Sequence, residues 1–421
     1  MAASERIIYV YANWSKHPVL MGTLYATITR GKELFSFEYS KEWIRSAVGG
    51  FAFDPDLSLY EGRQYSPDKP LFGVFSDSCP DRWGRLLMKR KEVLLANEEN
   101  RKPRALTESD YLLGVYDETR LGALRFATEI NGPFLSADNE LPAPPWTTLR
   151  ALEVASRAFE SGEGDRGDKW LRQLLAPGSS LGGARPKASV VAPDGSLWIA
   201  KFPSKHDEWN SGSWEIVIHN LAARCGLSVP DAEVETFSGS GSTFLTKRFD
   251  RVGARRIHFS SAMALLGRTD GSVAEGASYL DIASFIKSNG STPKRDLVEL
   301  WKRIVFSIAV SNTDDHLRNH GFLLSEDGWV LSPMYDVNPD IYGDTLSLNV
   351  SADDNSASFE LALETAEFYD IGIRDAKGFV ADICNTISGG WMKIAAEYGL
   401  SRSEITHMNS AFARCATYGA T

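Results

Sequence analysis

A short polar segment between a predicted buried helix and a predicted hairpin, within residues 293–338, constrains the fold of this 421-residue chain more than any other feature. Apolar residues recur at helical spacing before it, which predicts a buried helix that begins at Pro293 after the capping residue Thr292. The polar segment SNTDDHLRN follows directly at 311–319, and the pattern GFLL–SEDG–WVLS then predicts a β-hairpin. Two adjacent carboxylates between a buried helix and a buried strand indicate a chemical use rather than a simple polar turn, because like charges repel.

The spacing within this region is informative. Asp314 and Asn319 are five residues apart, as in the D-x-x-x-x-N catalytic loop of protein kinases, where the Asp accepts a hydroxyl proton and the Asn binds metal. Asp336, in MYDVNP, lies 17 residues beyond Asn319 and across the hairpin, where kinases place a magnesium-binding Asp. Val337 and Asn338 replace the Phe-Gly that follows this Asp in kinases. The simpler alternative for Asp336 is a turn-initiating residue.

A Gly-rich loop, PGSSLGGARPK at 177–187, precedes a predicted hairpin that ends in LWIAKF. It is not a P-loop, since Ala184 and Arg185 stand where Lys and Ser or Thr are required, and no helix follows it. A Gly loop over a hairpin covers the phosphates of ATP in kinases, although a surface loop is the alternative. Lys201 in the apolar strand needs a carboxylate or phosphate partner, unless it extends to solvent at a sheet edge. Glu215 is expected to be a solvated first-turn acid, with orientation of Lys201 as the alternative.

The composition excludes several classes of protein. Apolar residues make up 43% and charged residues 24%, which is typical of a globular protein and not of a disordered chain or a coiled coil. The net charge of −10 disfavours direct coating of nucleic acid and binding to anionic membranes. The sequence shows no transmembrane segment and no signal peptide at its start. Four cysteines without a C-x-x-C pair predict reduced thiols in a cytosolic protein and no zinc module.

The pattern along the chain predicts three domains. Residues 6–12, 20–28 and 33–39 predict a β meander, and a helix is expected from Asp81 to about Ala96. The Pro-rich run LPAPPW at 141–146 is the clearest boundary. We therefore expect a β-rich N-terminal subdomain at 1–140, a small lobe with the Gly loop at 147–250, and a mainly helical lobe at 251–421.

Five of these motifs together resemble one known family. The segments GSSLGGARPK, WIAKF, TKRFDR, NTDDHxxN and YDVNP are similar to those of the HipA-like serine/threonine kinases, the toxins of bacterial HipBA toxin–antitoxin modules. The run FGVFSDSCPDRWGR at 72–85 is similar to a segment of that family's N-terminal subdomain. The resemblance extends over essentially the whole chain. It implies an α+β, atypical two-lobed protein-kinase-like fold with an N-terminal β-rich subdomain and a mainly helical C-terminal lobe.

The resemblance also implies roles for individual residues. Asp314 would be the catalytic base, Asn319 and Asp336 the Mg²⁺ ligands, and Lys201 the contact to the ATP phosphates. A Gly-loop serine is autophosphorylated in the family; Ser180 matches it, and the adjacent Ser179 is the alternative. The ATP-binding residues implied in this way are Leu181, Gly182, Gly183, Ala184, Arg185, Lys187, Lys201, Lys247, Arg248, Phe249, His316, Arg318, Asn319 and Tyr335.

The implied activity is that of a cytoplasmic ATP- and Mg²⁺-dependent serine/threonine protein kinase. Its target would be a cytosolic protein such as an aminoacyl-tRNA synthetase or another translation factor. Its partner would be a HipB-like helix-turn-helix antitoxin, through which alone it would reach DNA, and it would not contact a membrane. Lys247 and residues 256–280 depart from the better-known toxins, which bears on the target. Two alternatives stay open: a pseudokinase that serves as a co-repressor scaffold, and an atypical lipid or small-molecule kinase.

Overall fold

A computed structural model describes residues 5–46, 53–66, 69–135, 143–162, 174, 183, 185–269 and 276–418. The chain divides into two compact units, Met1–Ala200 with Asp250–Arg268 and Lys201–Phe249 with Thr269–Thr421. The three domains expected from the sequence stay a prediction, because one compact unit can contain more than one domain.

The secondary structure mixes strands and helices, as the predicted α+β class requires. The strands are β1 Glu5–Ala12, β2 Val19–Thr29, β3 Lys32–Tyr39, β4 Gln64–Tyr65, β5 Leu124–Ala127, β6 Lys187–Val191, β7 Leu197–Lys201, β8 Ala232–Ser238, β9 Gly241–Lys247, β10 Arg251–Val252, β11 Arg255–Arg256, β12 Phe259–Ser261, β13 Gly321–Ser325 and β14 Gly328–Leu331. The α-helices are α1 Lys41–Arg45, α2 Gly73–Ser76, α3 Arg82–Glu98, α4 Glu108–Gly114, α5 Leu149–Glu160, α6 Ser211–Arg224, α7 Ala262–Leu265, α8 Tyr279–Asn289, α9 Pro293–Ala309, α10 Phe359–Glu364, α11 Ile373–Glu397, α12 Arg402–His407 and α13 Ala413–Thr417.

The first unit is built on a five-stranded sheet in the order β4-β3-β2-β1-β5. The predicted meander of the first three strands is confirmed. Ile8, Leu24 and Phe37 are paired across β1, β2 and β3 and are fully buried, so one face of the sheet forms the core. Gly22 permits this close packing, since a Cβ there would lie 2.6 Å from the ring of Phe37.

The 72–85 motif joins the N-terminal part of this unit to the start of β6. Asp81 accepts a hydrogen bond from the backbone N–H of Gly84 (2.7 Å) and so caps α3, while its other oxygen lies 3.0 Å from Nζ of Lys187. Both side chains of this ion pair are about 3% exposed. The indole of Trp83 donates to the carbonyl of Lys187 (3.1 Å). The motif therefore fixes the strand that follows the Gly loop.

The second unit is mostly helical. The predicted buried helix is α9, whose apolar positions are at most 1% exposed: Leu297, Leu300, Ile304, Val305 and Ile308. The hairpin predicted after the polar segment is the antiparallel pair β13–β14. Among the described residues, no helix has both the length and the apolar character needed to cross a bilayer.

A buried histidine makes the stability of the first unit sensitive to acid. The imidazole of His258 stacks on the indole of Trp14, with ring centroids 5.0 Å apart, and meets the edge of Phe53 at 5.8 Å. Its 1% exposure lowers its pKa from 6.5 to about 3, because burial disfavours the charged imidazolium. The neutral form therefore dominates in the folded protein near pH 5, where the unfolded chain is already protonated.

We expect the free energy of unfolding to fall with acid partly through His258. The stability that this residue contributes is complete above pH 6.5 and is lost as the pH falls towards 3. Between pH 7 and pH 5 the loss from this group is about 2 kcal/mol. Chemical denaturation at both pH values should show that His258→Gln is less sensitive to pH than the wild type by this amount. Equal sensitivity of the two proteins would contradict the assignment.

Candidate functional site

The centre of the site is an ammonium group shared by two carboxylates. Nζ of Lys201 lies 2.5 Å from Oε1 of Glu215 and 2.6 Å from Oδ1 of Asp336. Lys201 and Glu215 are buried, whereas the Asp336 side chain is about one-third exposed. Burial alone lowers the pKa of Lys201, but the charges of Asp336 and Glu215 outweigh it and raise that pKa above its ordinary value. The lysine therefore stays charged inside the protein.

Three separate parts of the chain bring these groups together. Lys201 is the last residue of β7, and Glu215 lies in the first half of α6, which Asn210 caps by accepting a hydrogen bond from the N–H of Ser213. Asp336 follows the β13–β14 hairpin with φ +58°, a left-handed conformation that Asp tolerates better than most residues. The expectation that Glu215 is a solvated acid was wrong, because α6 packs with this end inside the unit and leaves Glu215 only 5% exposed.

The predicted catalytic loop leaves α9 through another left-handed residue. Ser311, φ +53°, stands where glycine usually ends a helix, and its hydroxyl donates to the carbonyl of Ala411 (2.8 Å) and accepts from Arg414 (2.5 Å). The loop then turns so that Asp314 is exposed. The side-chain amide of Asn319 donates to the carbonyl of Asp314 (2.8 Å), which ties the two predicted functional residues together.

Tyr335 links this loop to the Asp336 segment. Its hydroxyl donates to the carbonyl of Arg318 (2.6 Å), and its ring lies 5.7 Å from that of Phe249, centroid to centroid. The resemblance to the HipA-like kinases implies that Phe249 belongs to the segment 247–249, which would be the hinge that meets adenine. Within the second unit, direct contacts thus connect the predicted hinge, the predicted catalytic loop, Asp336 and Lys201.

The remaining predicted site residues occupy different environments. Lys247 lies 3.2 Å from the carboxylate of Asp231, Arg248 is buried, and His316 and Arg318 are half-buried. In the first unit, Lys187 pairs with Asp81, Gly183 has φ +109°, and Arg185 is half-buried. The predicted residues Ser179, Ser180, Leu181, Gly182 and Ala184 lie outside the described residues.

Asn319 and Asp336 are chemically suited to a magnesium ion. Both offer hard oxygen atoms, and Mg²⁺ is commonly held by one or two side chains together with phosphates and water. The amide nitrogen of Asn319 is used in its bond to Asp314, which leaves its Oδ1 as the atom able to coordinate a cation. In the described part of the chain, no group of three or more His, Cys, Asp or Glu residues could hold a metal ion alone.

The sequence analysis did not identify the buried residues that form hydrogen bonds to the predicted catalytic loop. Asp315 was taken with Asp314 as a sign of chemistry, yet it is 3% exposed and accepts hydrogen bonds from the hydroxyls of Tyr279 (2.6 Å) and Ser307 (3.2 Å). Only one of the two adjacent carboxylates is therefore available at the surface. The pattern of α9 signals that Ser307 faces inward, but nothing in the sequence pairs it with Asp315.

Comparison with known proteins gives one family match. A family model described as the HipA-like C-terminal domain matches residues 179–391, about half of the chain. The protein named "Putative kinase Y4mE" of Sinorhizobium fredii (strain NBRC 101917 / NGR234) is 29% identical over 182 residues, which are 38% of this chain and 41% of that protein. A "Putative kinase" of Haemophilus influenzae (strain ATCC 51907 / DSM 11121 / KW20 / Rd) is 25% identical over 194 residues, 40% of this chain and 56% of that one. The chain thus matches between about two fifths and three fifths of the length of these curated relatives.

A solved structure shares the fold over nearly the full length of the chain. It is HipA in the complex of the Shewanella oneidensis MR-1 toxin–antitoxin system HipA and HipB with operator DNA. The TM-score is 0.68 at 16% identity, and the alignment covers 98% of this chain and 97% of that chain. This likeness confirms the α+β fold expected from the sequence.

We expect Lys201→Met to destabilise the protein, because it leaves the carboxylate of Glu215 buried without its cation. Breaking a buried ion pair on one side costs about 3–5 kcal/mol. The double variant Lys201→Met/Glu215→Met removes both charges and should recover most of this loss. Chemical denaturation of the wild type, both single variants and the double variant measures the coupling. Additive effects of the two single changes would contradict the role of the pair.

Proposed function

Because the chain belongs to the family of the HipA-like C-terminal domain, we propose that it is an ATP- and Mg²⁺-dependent serine/threonine protein kinase of the HipA type. The contact of Lys201 with both Glu215 and Asp336 carries the proposal. A kinase needs a lysine that is held charged beside the carboxylate of its metal site, and this arrangement joins residues that are 135 positions apart in the chain.

ATP is bound through charge and through the hinge. The ammonium of Lys201 contacts the α- and β-phosphates, and the Lys247–Phe249 segment meets adenine mainly through backbone groups. Tyr335 packs beside this segment, and its hydroxyl holds the carbonyl of Arg318. The family resemblance implies that residues 181–185 and Lys187 would cover the phosphates and that His316 and Arg318 would line the nucleotide site. To contact a phosphate oxygen, Lys187 would have to leave its ion pair with Asp81.

Asn319 and Asp336 would hold the Mg²⁺, which would supply positive charge to compensate the phosphate oxygens. Asp314, exposed at the end of its loop, accepts a hydrogen bond from the attacking hydroxyl of a serine or threonine. The hydroxyl oxygen bonds to the γ-phosphorus, the bond to the β-phosphate oxygen breaks, and ADP leaves. The proton of the hydroxyl passes to Asp314.

A Gly-loop serine is the proposed site of autophosphorylation. Ser180 matches the serine that the HipA-like kinases modify, and Ser179 is the neighbouring candidate. Phosphate on either serine would place about two negative charges in the loop that has to receive the ATP phosphates. Like-charge repulsion would then displace the loop and silence the kinase.

Two alternatives compete with this proposal. A pseudokinase scaffold would bind ATP and an antitoxin but transfer nothing, which the presence of Asp314, Asn319 and Asp336 disfavours. A lipid or small-molecule kinase would share the same ATP site but would not modify protein. Incubation with γ-labelled ATP separates a protein kinase from both alternatives, because only a protein kinase places the label on a polypeptide.

We expect Asp314→Asn to lower phosphate transfer by at least about 10²-fold, since the amide cannot take up the hydroxyl proton. Because Asp314 is exposed, the fold and the affinity for ATP should be unchanged. Mass spectrometry of the 177–187 peptide after incubation with ATP should show phosphate on Ser180 or Ser179 in the wild type and at least about 10²-fold slower modification in the variant. Equal transfer rates of the two proteins would show that Asp314 is not the base.

The proposed partners follow from the same family. The Shewanella oneidensis protein was solved with HipB and operator DNA, and we propose a HipB-like helix-turn-helix antitoxin for this chain. The target is a protein of the translation machinery such as an aminoacyl-tRNA synthetase. The proposed location is the cytoplasm, which the four free thiols and the absence of a disulfide among them support.

We expect the purified chain alone to bind DNA no more tightly than a non-specific binder, because its net charge is −10. Fluorescence anisotropy with a labelled duplex from the region upstream of its own gene, at low and at high salt, measures this. The same duplex with the proposed HipB-like antitoxin added is the control. Tight, strongly salt-dependent binding of the chain alone would contradict the proposal that DNA is reached only through a partner.

A further inference from the structure

A buried carboxylate lies directly behind the exposed Asp314. The neighbouring Asp315 accepts hydrogen bonds from the phenol of Tyr279 on α8 (2.6 Å) and the hydroxyl of Ser307 on α9 (3.2 Å). Nε2 of His320 lies 2.9 Å from the other carboxylate oxygen. All four of these side chains are at most 5% exposed. Asp315 is thus fixed from two helices and from the residue that follows the predicted metal ligand Asn319.

The hydrogen bonds continue from Asp315 to the segment that carries Asp336. Oγ of Ser307 accepts a hydrogen bond from the side-chain amide of Asn312 (3.2 Å). Oδ1 of Asn312 in turn accepts one from the backbone N–H of Asn338 (3.3 Å), two residues beyond Asp336. A single series of hydrogen bonds therefore links the loop that contains Asp314 to the segment that contains Asp336.

The pKa shifts of Asp315 and Tyr279 indicate which of the two groups donates the hydrogen bond between them. Burial alone raises the pKa of Asp315, but the charge of His320 and the hydrogen bonds to Asp315 outweigh it and hold that pKa below its ordinary value. Burial, together with the charge of Asp315, raises the pKa of Tyr279 well above its ordinary value. In the bond between them, the phenol of Tyr279 therefore donates and the carboxylate of Asp315 accepts.

We propose that Tyr279, Ser307 and Asp315 are positioning residues that set the distance of Asp314 and Asn319 from Asp336. This inference rests on the proposed function, since it assigns the network to the same site. None of the three is exposed enough to touch a substrate, so they act through the loop. Phosphoryl transfer depends on placement, and a displacement of about 1 Å can cost about 10²-fold in rate.

The second unit contains a matched control for Tyr279. Tyr369 is also fully buried, and within the described residues its hydroxyl has no hydrogen-bond partner. Tyr279→Phe and Tyr369→Phe therefore remove the same atom from the same kind of environment. Only the first change removes a hydrogen bond to the catalytic loop.

We expect Tyr279→Phe to lower kcat for phosphate transfer about tenfold, with the Kd for a non-hydrolysable ATP analogue within about twofold of the wild type. Tyr369→Phe should leave both values within about twofold. Ser307→Ala, a second and smaller change, should also lower kcat. The double variant Tyr279→Phe/Ser307→Ala should lose less than the product of the two single losses, because both bonds act through Asp315.

Hydrogen–deuterium exchange provides a readout that does not depend on activity. The amides of residues 312–320 should exchange faster in Tyr279→Phe than in the wild type, and at the wild-type rate in Tyr369→Phe. A lower Tm with unchanged kcat and unchanged exchange would show that Tyr279 only stabilises the fold, and would overturn the inference. If the wild type transfers no phosphate, the proposed function fails, and exchange in 312–320 alone decides whether the network positions the loop.

Discussion

The buried charge of Lys201 determines much of the architecture of the second unit. An ammonium removed from water costs several kcal/mol unless carboxylates replace its hydration. At the end of β7 it is tolerated because α6 supplies Glu215 and the segment after β13–β14 supplies Asp336. Lys201, Glu215 and Asp336 must therefore come into contact when the chain folds. The two acids are unequally buried, and the more exposed of them, Asp336, is the one that we propose as a Mg²⁺ ligand.

Local patterns in the sequence predicted the elements but not the contacts between them. The meander β1–β3 and the helix α9 follow from alternation and from helical spacing, which depend only on neighbouring residues. The contact of Lys201 with Asp336 joins positions 135 apart, and no periodicity encodes it. Glu215 was misjudged for the same reason, because a charge in the first half of a helix is usually solvated and only tertiary packing buries it.

The adjacent residues Asp314 and Asp315 show the limit of reasoning from a motif. Spacing to Asn319 distinguishes Asp314, but the sequence gives no measure of which carboxylate faces solvent. In the structure Asp314 is exposed, whereas Asp315 is 3% exposed and lies against two hydroxyl groups. A buried carboxylate needs donors, and its donors come from α8 and α9, up to 36 positions away. The roles of Ser179 and Ser180 stay predictions, because both lie outside the described residues.

The ion pair between Asp81 and Lys187 has a consequence for how this polypeptide can be divided. Its two charges are enclosed in the first unit, and one comes from the helix cap of α3 while the other begins β6. A shortened chain that starts after residue 140 would lack Asp81 and Trp83. The buried ammonium of Lys187 would then have lost its carboxylate partner, and its carbonyl would have lost the indole that donates to it. Such a fragment would have to repack the start of β6, so the strand that follows the Gly loop depends on Asp81 and Trp83 for its stability.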